Sequence, residues 1–262
     1  MCPRASSVVQ AFLVLGLAVL ASACAAPAAQ HAAQGSLGAA DRLRVAQAAA
    51  ESGNPQLAAS MYLRALADPK LATADRIRAA DTLVVLGHPG SAEAALTERL
   101  HAAPALDAAD EAALRRALAR LHIVAGQPAQ ALLECDALLA RDHGDTAATV
   151  DKAVALDLLG RHEEAQALYR EALQKTPDDA AVRNDLALSV ALQGRISEAQ
   201  AVAAPLRARP DLPDRVKTDL GLLYAAGNDP GNAASWLDGR STSDADVELL
   251  VDAMRARAAK GQ

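Results

Sequence analysis

The side chains of this 262-residue chain that could do chemistry are few and scattered. Six histidines, at positions 31, 88, 101, 122, 143 and 162, lie far apart and show no helical pairing suited to a metal. Acidic clusters occur at Asp107 to Glu111, at Pro177-Asp178-Asp179 and at Asp244 to Asp246. All three fall where turns and helix starts are expected. Carboxylates there cap free amides and favour the helix dipole, which is a more ordinary use than an acid–base pair. A phosphate-cradling glycine loop, a nucleophile elbow, a His-Glu-x-x-His helix and a calcium loop are all missing. The sequence points away from catalysis and calls for no cofactor and no metal.

The exception is Cys24. It follows Arg4, an apolar run from Val8 to Leu20 broken only by Gln10 and Gly16, and the small residues Ala21-Ser22-Ala23. Such a segment reads as an export signal over residues 1–23, and the run falls short of the roughly 20 residues of a comfortable membrane span. The Ala21-to-Cys24 stretch resembles the lipobox of bacterial lipoproteins, with Ala21 in place of the usual Leu. That resemblance implies cleavage before Cys24 and acylation of its sulfur, with a diacylglycerol and an amide-linked chain of the palmitate kind as a firm anchor. An ordinary secreted chain cut nearby and an uncleaved anchor are the alternatives. Ala25, standing where Asp would favour inner-membrane retention, favours the outer membrane and a periplasm-facing protein. Residues 24–38 are rich in Ala, Gln, Pro and Gly without a periodic apolar face, a flexible tether with a reach of about 20 Å.

Once the signal is gone, Cys135 has no cysteine but the lipid-bearing Cys24, so no disulfide framework exists and the expected role of Cys135 is a buried thiol. Formal net charge is −6 and the cations are spread along the chain, which argues against nucleic acid as a partner.

What organises the chain is a glycine phase. Gly53, Gly87, Gly126, Gly160 and Gly194 are each followed five residues later by Ala58, Ala92, Ala131, Ala165 and Ala199. Each is preceded by seven residues by Ala46, Ala80, Ala119, Ala153 and Ala187. With only 15 glycines in 262 residues, that phasing is not chance. Gly227, six residues before Ala233, reads as a sixth copy with a longer turn through Asp229, Pro230 and Gly231, and Gly221 takes the small-residue place. Units begin near Ala39, Thr73, Ala112, Thr146, Ala180 and Asp214, with an insertion around Pro104 to Glu111 lengthening the connection before the third.

Within Thr146 to Asp179, Gly160, Ala165, Tyr169, Ala172 and Pro177 resemble the marker positions of a tetratricopeptide repeat, two antiparallel helices per unit. Small residues allow close helix approach, so Ala153 should meet Ala165. Tyr62, Cys135 and Tyr169 share one phase of the second helix and read as core. The expected fold is all-α, a tetratricopeptide solenoid of about six repeats over residues 39–242, closed by a capping helix in residues 243–262. Val247, Leu250, Val251 and Met254 give that last segment its helical face, with acidic residues early and Arg255, Arg257 and Lys260 late.

In such a stack the first helices line a groove. From the phase, that groove should contain Leu43, Gln47, Ile77, Asp81, Arg116, Arg120, Val150, Val154, Asn184, Leu188, Thr218 and Leu222. This mixed lining suits a helix or extended peptide of a protein partner.

From Val182 onward the resemblance narrows. Val182 to Ser189, Gly194-Arg195, Glu198-Ala199, Pro205-Leu206, Arg215-Val216, Asp219-Leu220, Leu222, Tyr224 and Asp246-Val247 resemble the TadD-type lipoproteins of Tad (tight adherence, Flp) pilus assembly. Asp185 and Asp219 stand where Asn is usual, and the closing helix lacks the usual aromatic. The family implies a non-catalytic, pilotin-like outer-membrane factor for the secretin pore, acting by tethering. A tetratricopeptide pilotin of type IV pili or a lipoprotein scaffold for cell-wall enzymes are the alternatives.

Overall fold

The structure, a computed structural model, describes residues 37–102, 106–209 and 211–237. The expected signal, most of the tether and the expected capping helix lie outside the described residues. Within them are twelve α-helices and one 3-10 segment, and no strand.

The helices come in antiparallel pairs: α1 (Ala39–Glu51) with α2 (Pro55–Leu66), α3 (Thr73–Val85) with α4 (Pro89–His101), α5 (Ala108–Val124) with α6 (Pro128–Arg141), α7 (Thr146–Leu158) with α8 (His162–Lys175), α9 (Ala180–Leu192) with α10 (Ile196–Ala203), and α11 (Asp214–Ala226) with α12 (Pro230–Leu237). Two compact units contain them, one through Leu71 with the first pair and one from Ala72 with the other five.

Each first helix ends for a local reason. Gly53, Gly87, Gly126, Gly160 and Gly194 all have φ between 70° and 85°, a left-handed conformation that costs a residue with a Cβ roughly 1–2 kcal/mol. At Gly160 the Arg161 amide donates to the Leu156 carbonyl at 2.9 Å, closing the turn and satisfying a terminal acceptor. Four of the second helices then start with proline at a position whose N–H would have no partner anyway. First helices are capped by the acids the sequence places before them: Asp145 accepts from the Ala148 amide at 3.0 Å, and Asp179 from those of Ala181 and Val182 at 2.9 and 3.1 Å.

Small residues set the spacing within pairs. Ala46 and Ala58 in the first unit, and Ala119, Ala131, Ala153, Ala165, Ala187 and Ala199 in the second, are all at 0% exposure. Gly221 has a sharper reason: a Cβ there would lie 2.5 Å from Leu237 Cγ, so a larger residue requires the Leu237 side chain to shift. Tyr62, Cys135 and Tyr169 are buried at their shared phase, and burial pushes the Cys135 thiol up to about 12, leaving it unreactive at neutral pH.

Two expectations are corrected. The sixth unit has no longer turn: Gly227 has φ −83°, and the left-handed residue is Asn228 at φ 58°, five residues before Ala233 as in the other copies. Asn is the residue that tolerates this conformation best after Gly. The insertion before the third pair is not all connection, because Ala108 to Glu111 wind as an extra turn of α5. Asp107 caps that turn by accepting from the Asp110 amide at 2.7 Å, and Glu111 is held by Arg115 at 2.9 Å and Arg141 at 2.7 Å. Separately, α10 is short, at eight residues. Pro205 lacks an amide hydrogen and crowds the carbonyl four residues back, so Ala204–Ala208 tighten into a 3-10 turn that still buries Leu206.

Candidate functional site

In the second unit the first helices of consecutive pairs touch: α3 with α5, α5 with α7, α7 with α9, and α9 with α11. Residues of equal phase therefore line up from helix to helix. The last residue of each of the first four is aliphatic, Val85, Val124, Leu158 and Leu192. Val85, Val124 and Leu158 are 85%, 71% and 54% exposed, and Leu192 is half-buried. Single exposed apolar residues are ordinary, but a row of them at one recurring position is a candidate interaction surface.

Where this row meets α7, α8, α9 and α11 it borders an open cavity of about 930 Å³. Val154, Leu158, Leu159, Leu188 and Leu192 form its apolar walls. Asp157, His162, Tyr169, Asp185, Ser189, Gln193 and Arg215 supply the polar groups.

Those polar groups form two linked sets. Asp157 Oδ1 accepts from the Ser189 hydroxyl at 2.7 Å and has His162 Nδ1 at 2.8 Å, and it is also hydrogen-bonded to Tyr169. Arg215 donates to Asp185 at 2.5 Å and lies 3.7 Å from Asp219, which also accepts from the Asn184 amide at 2.8 Å. Asp151, Asp185 and Asp219 share one phase, 34 residues apart. Desolvation raises all three carboxyls, Asp185 to about 6, against the opposing pull of Arg120 on Asp151 and of Arg215 on the other two. Desolvation also pushes the Tyr169 phenol upward. Serine and histidine both bind the carboxylate rather than each other, so no nucleophile–base pair exists here. Among the described residues, no group of three or more potential ligands is placed to hold a metal ion.

The residues expected to line the groove are disposed unevenly. Gln47, Asp81 and Arg120 are exposed, while Leu43, Ile77, Val150, Val154, Leu188, Thr218 and Leu222 are half-buried. Gln47 donates to Glu51 at 3.0 Å on its own helix, and the Thr218 hydroxyl to the Asp214 carbonyl at 2.9 Å. Arg116 is ion-paired with Asp145 at 2.5 Å and Arg120 with Asp151 at 3.4 Å. Asn184 is a correction: at 1% exposure, with its amide committed to Asp219, it braces two first helices and offers nothing to a partner. Sequence reasoning missed the aliphatic row and the carboxylates beside it. Their signal was present in the repeat phase, in Val85, Val124, Leu158 and Leu192 on one side and Asp151, Asp185 and Asp219 on the other.

Two tetratricopeptide-repeat profiles match the chain, over residues 116–180 and 158–218. The helix pairs over residues 116–218 match tetratricopeptide repeats. Solved structures of the same fold include a tetratricopeptide repeat protein from Parabacteroides merdae, at TM-score 0.66 and 15% identity, covering 82% of this chain and 84% of that one. PilW, described as a widely conserved type IV pilus biogenesis factor, aligns at TM-score 0.60 and 17% identity over 81% of this chain and 98% of its own. A thermophilic tetratricopeptide protein of Thermus thermophilus aligns at 0.55 and 20% over 70% and 98%. At these identities the likeness is one of fold. No curated protein sequence matches the chain. A tetratricopeptide solenoid is a scaffold for protein–protein interaction, and the aliphatic row on the first helices is among the exposed apolar surface of this one.

Proposed function

We propose that this protein is a non-catalytic assembly factor, anchored to the outer membrane by acyl chains on Cys24, that holds a segment of a pilus-assembly component on the first-helix face of its repeats. The observation that carries the reading is the aliphatic row Val85, Val124, Leu158 and Leu192 beside an open cavity, a surface that a folded chain in isolation would gain by burying. The residues from Val182 to Tyr224 that resemble TadD-type lipoproteins direct the choice toward the Tad pilus and toward its secretin as partner. Anchor and groove then act together: lipid affinity confines the protein to one membrane, which raises the effective concentration of the bound segment there.

A second reading, a pilotin of type IV pili, has in its favour the shared fold with PilW. The two are separated by which secretin is recovered after crosslinking in native membranes.

Substituting Cys24→Ala tests the tether. The variant should leave the membrane fraction and display fewer pili; retention in membranes with normal piliation contradicts the proposal.

A further inference from the structure

The row of aliphatic ends and the cavity beside it differ in charge character, and together they restrict what can dock. The polar wall carries two carboxylates, Asp157 and Asp185, against one permanent cation, Arg215, which is shared with Asp219 behind it. Arg215 serves Asp185 and Asp219, so Asp157 is left with the Ser189 hydroxyl, Tyr169 and His162. Asp157 and Asp185 are set deep, with 13% and 15% side-chain exposure, whereas Arg215 is 69% exposed. Burial raises the carboxyl of Asp185 to about 6, the mark of a charge that its surroundings incompletely compensate. Val154 and Leu188, on the apolar wall, match the methylene stem of a long basic side chain whose head seeks the carboxylates.

We propose that the occupant of this face is a segment of another protein that lays aliphatic side chains along Val124, Leu158 and Leu192 and inserts one lysine or arginine toward Asp157 and Asp185. The inference deepens the groove reading above and rests on it. An acidic segment, or a chain end presenting its carboxylate, would meet uncompensated negative charge here, and like charges across an interface are strongly disfavoured. The charge of the whole chain, −6, steers in the same direction.

The test is selection of random peptides displayed on phage against the full chain in detergent, with two variants alongside: Val124→Ser with Leu158→Ser, and Asp157→Asn with Asp185→Asn. Sedimentation velocity and thermal melting accompany each. Enriched peptides should carry Lys or Arg one helical turn from aliphatic residues. A synthetic copy should bind each variant at least about tenfold more weakly. Replacing its basic residue by Gln should cost about tenfold on the wild type and little on the Asn variant, a coupling that a merely structural effect would not produce. Peptides of acidic or neutral character, or unchanged binding by the Asn variant, overturn the inference. If the Ser variant still loses those peptides, the groove reading survives. Binding indifferent to both variants, or no enrichment, overturns both. Self-association abolished by the Ser substitutions would make a second copy the occupant and also overturn it.

Discussion

The Ser189 hydroxyl donates to Asp157 Oδ1 at 2.7 Å across the boundary between the fourth and fifth helix pairs. Ser189 is at 0% exposure, and the bond ties α9 to α7, two first helices in contact. Removing the hydroxyl withdraws a donor from a largely buried carboxylate. Ser189→Ala should therefore lower unfolding free energy by about 1–3 kcal/mol. Urea denaturation checks this, and an unchanged midpoint would mean the bond carries no net weight.

Gly160 sits at φ 75° with open space where a Cβ would be. Any cost of substitution there is a backbone cost alone. Gly160→Ala should destabilise by about 1–2 kcal/mol, and Gly160→Asn by clearly less. Asn228 already fills the equivalent place in the sixth pair at φ 58°. Thermal melting of both variants checks the order; equal losses would contradict it.

That comparison shows what could be read from the chain alone. The fold was legible because each pair needs a left-handed residue at its turn and small residues at its closest approach. Gly53 to Gly194 and the alanines in step with them declare both. The sixth pair misled because Gly227 stands one residue before the place where Asn228 does the work. The extra turn of α5 was hidden because Ala108 to Glu111 lie outside the repeat phase, and a cap at Asp107 was needed to make them helical. The cavity was less legible still. Its contacts, such as Asn184 to Asp219, join residues one repeat apart, and only packing decides whether a first-helix side chain faces outward or braces its neighbour.

Ala165 is completely buried on α8, at the phase where second helices approach first helices most closely. Ala165→Leu should overfill this contact and cost about 1–3 kcal/mol. A melting temperature equal to that of the wild type would show that the site accepts volume.

Asp185 gives the structure a pH signature. Its carboxyl is raised from 3.8 to about 6, chiefly by desolvation, so the folded chain binds this proton more tightly than the unfolded chain. Its contribution to stability is therefore most favourable below 3.8 and falls as pH rises through about 6. Asp185→Asn abolishes this dependence. The stability of the variant relative to the wild type should improve by on the order of 2 kcal/mol between about pH 4 and pH 7, whatever offset the loss of the Arg215 pair introduces. Parallel pH profiles for the two proteins would contradict the burial of a charge at this position.

The claim on which the functional account turns is that the first-helix face holds another polypeptide. Photocrosslinking in living cells tests it most directly, with p-benzoylphenylalanine placed at Val124 or Leu158 on the first-helix row, or at Leu133, 68% exposed on the second helix α6. The account predicts one discrete adduct with another protein from Val124 and from Leu158 and none from Leu133. An adduct from Leu133 alone, or none from the row, would contradict it.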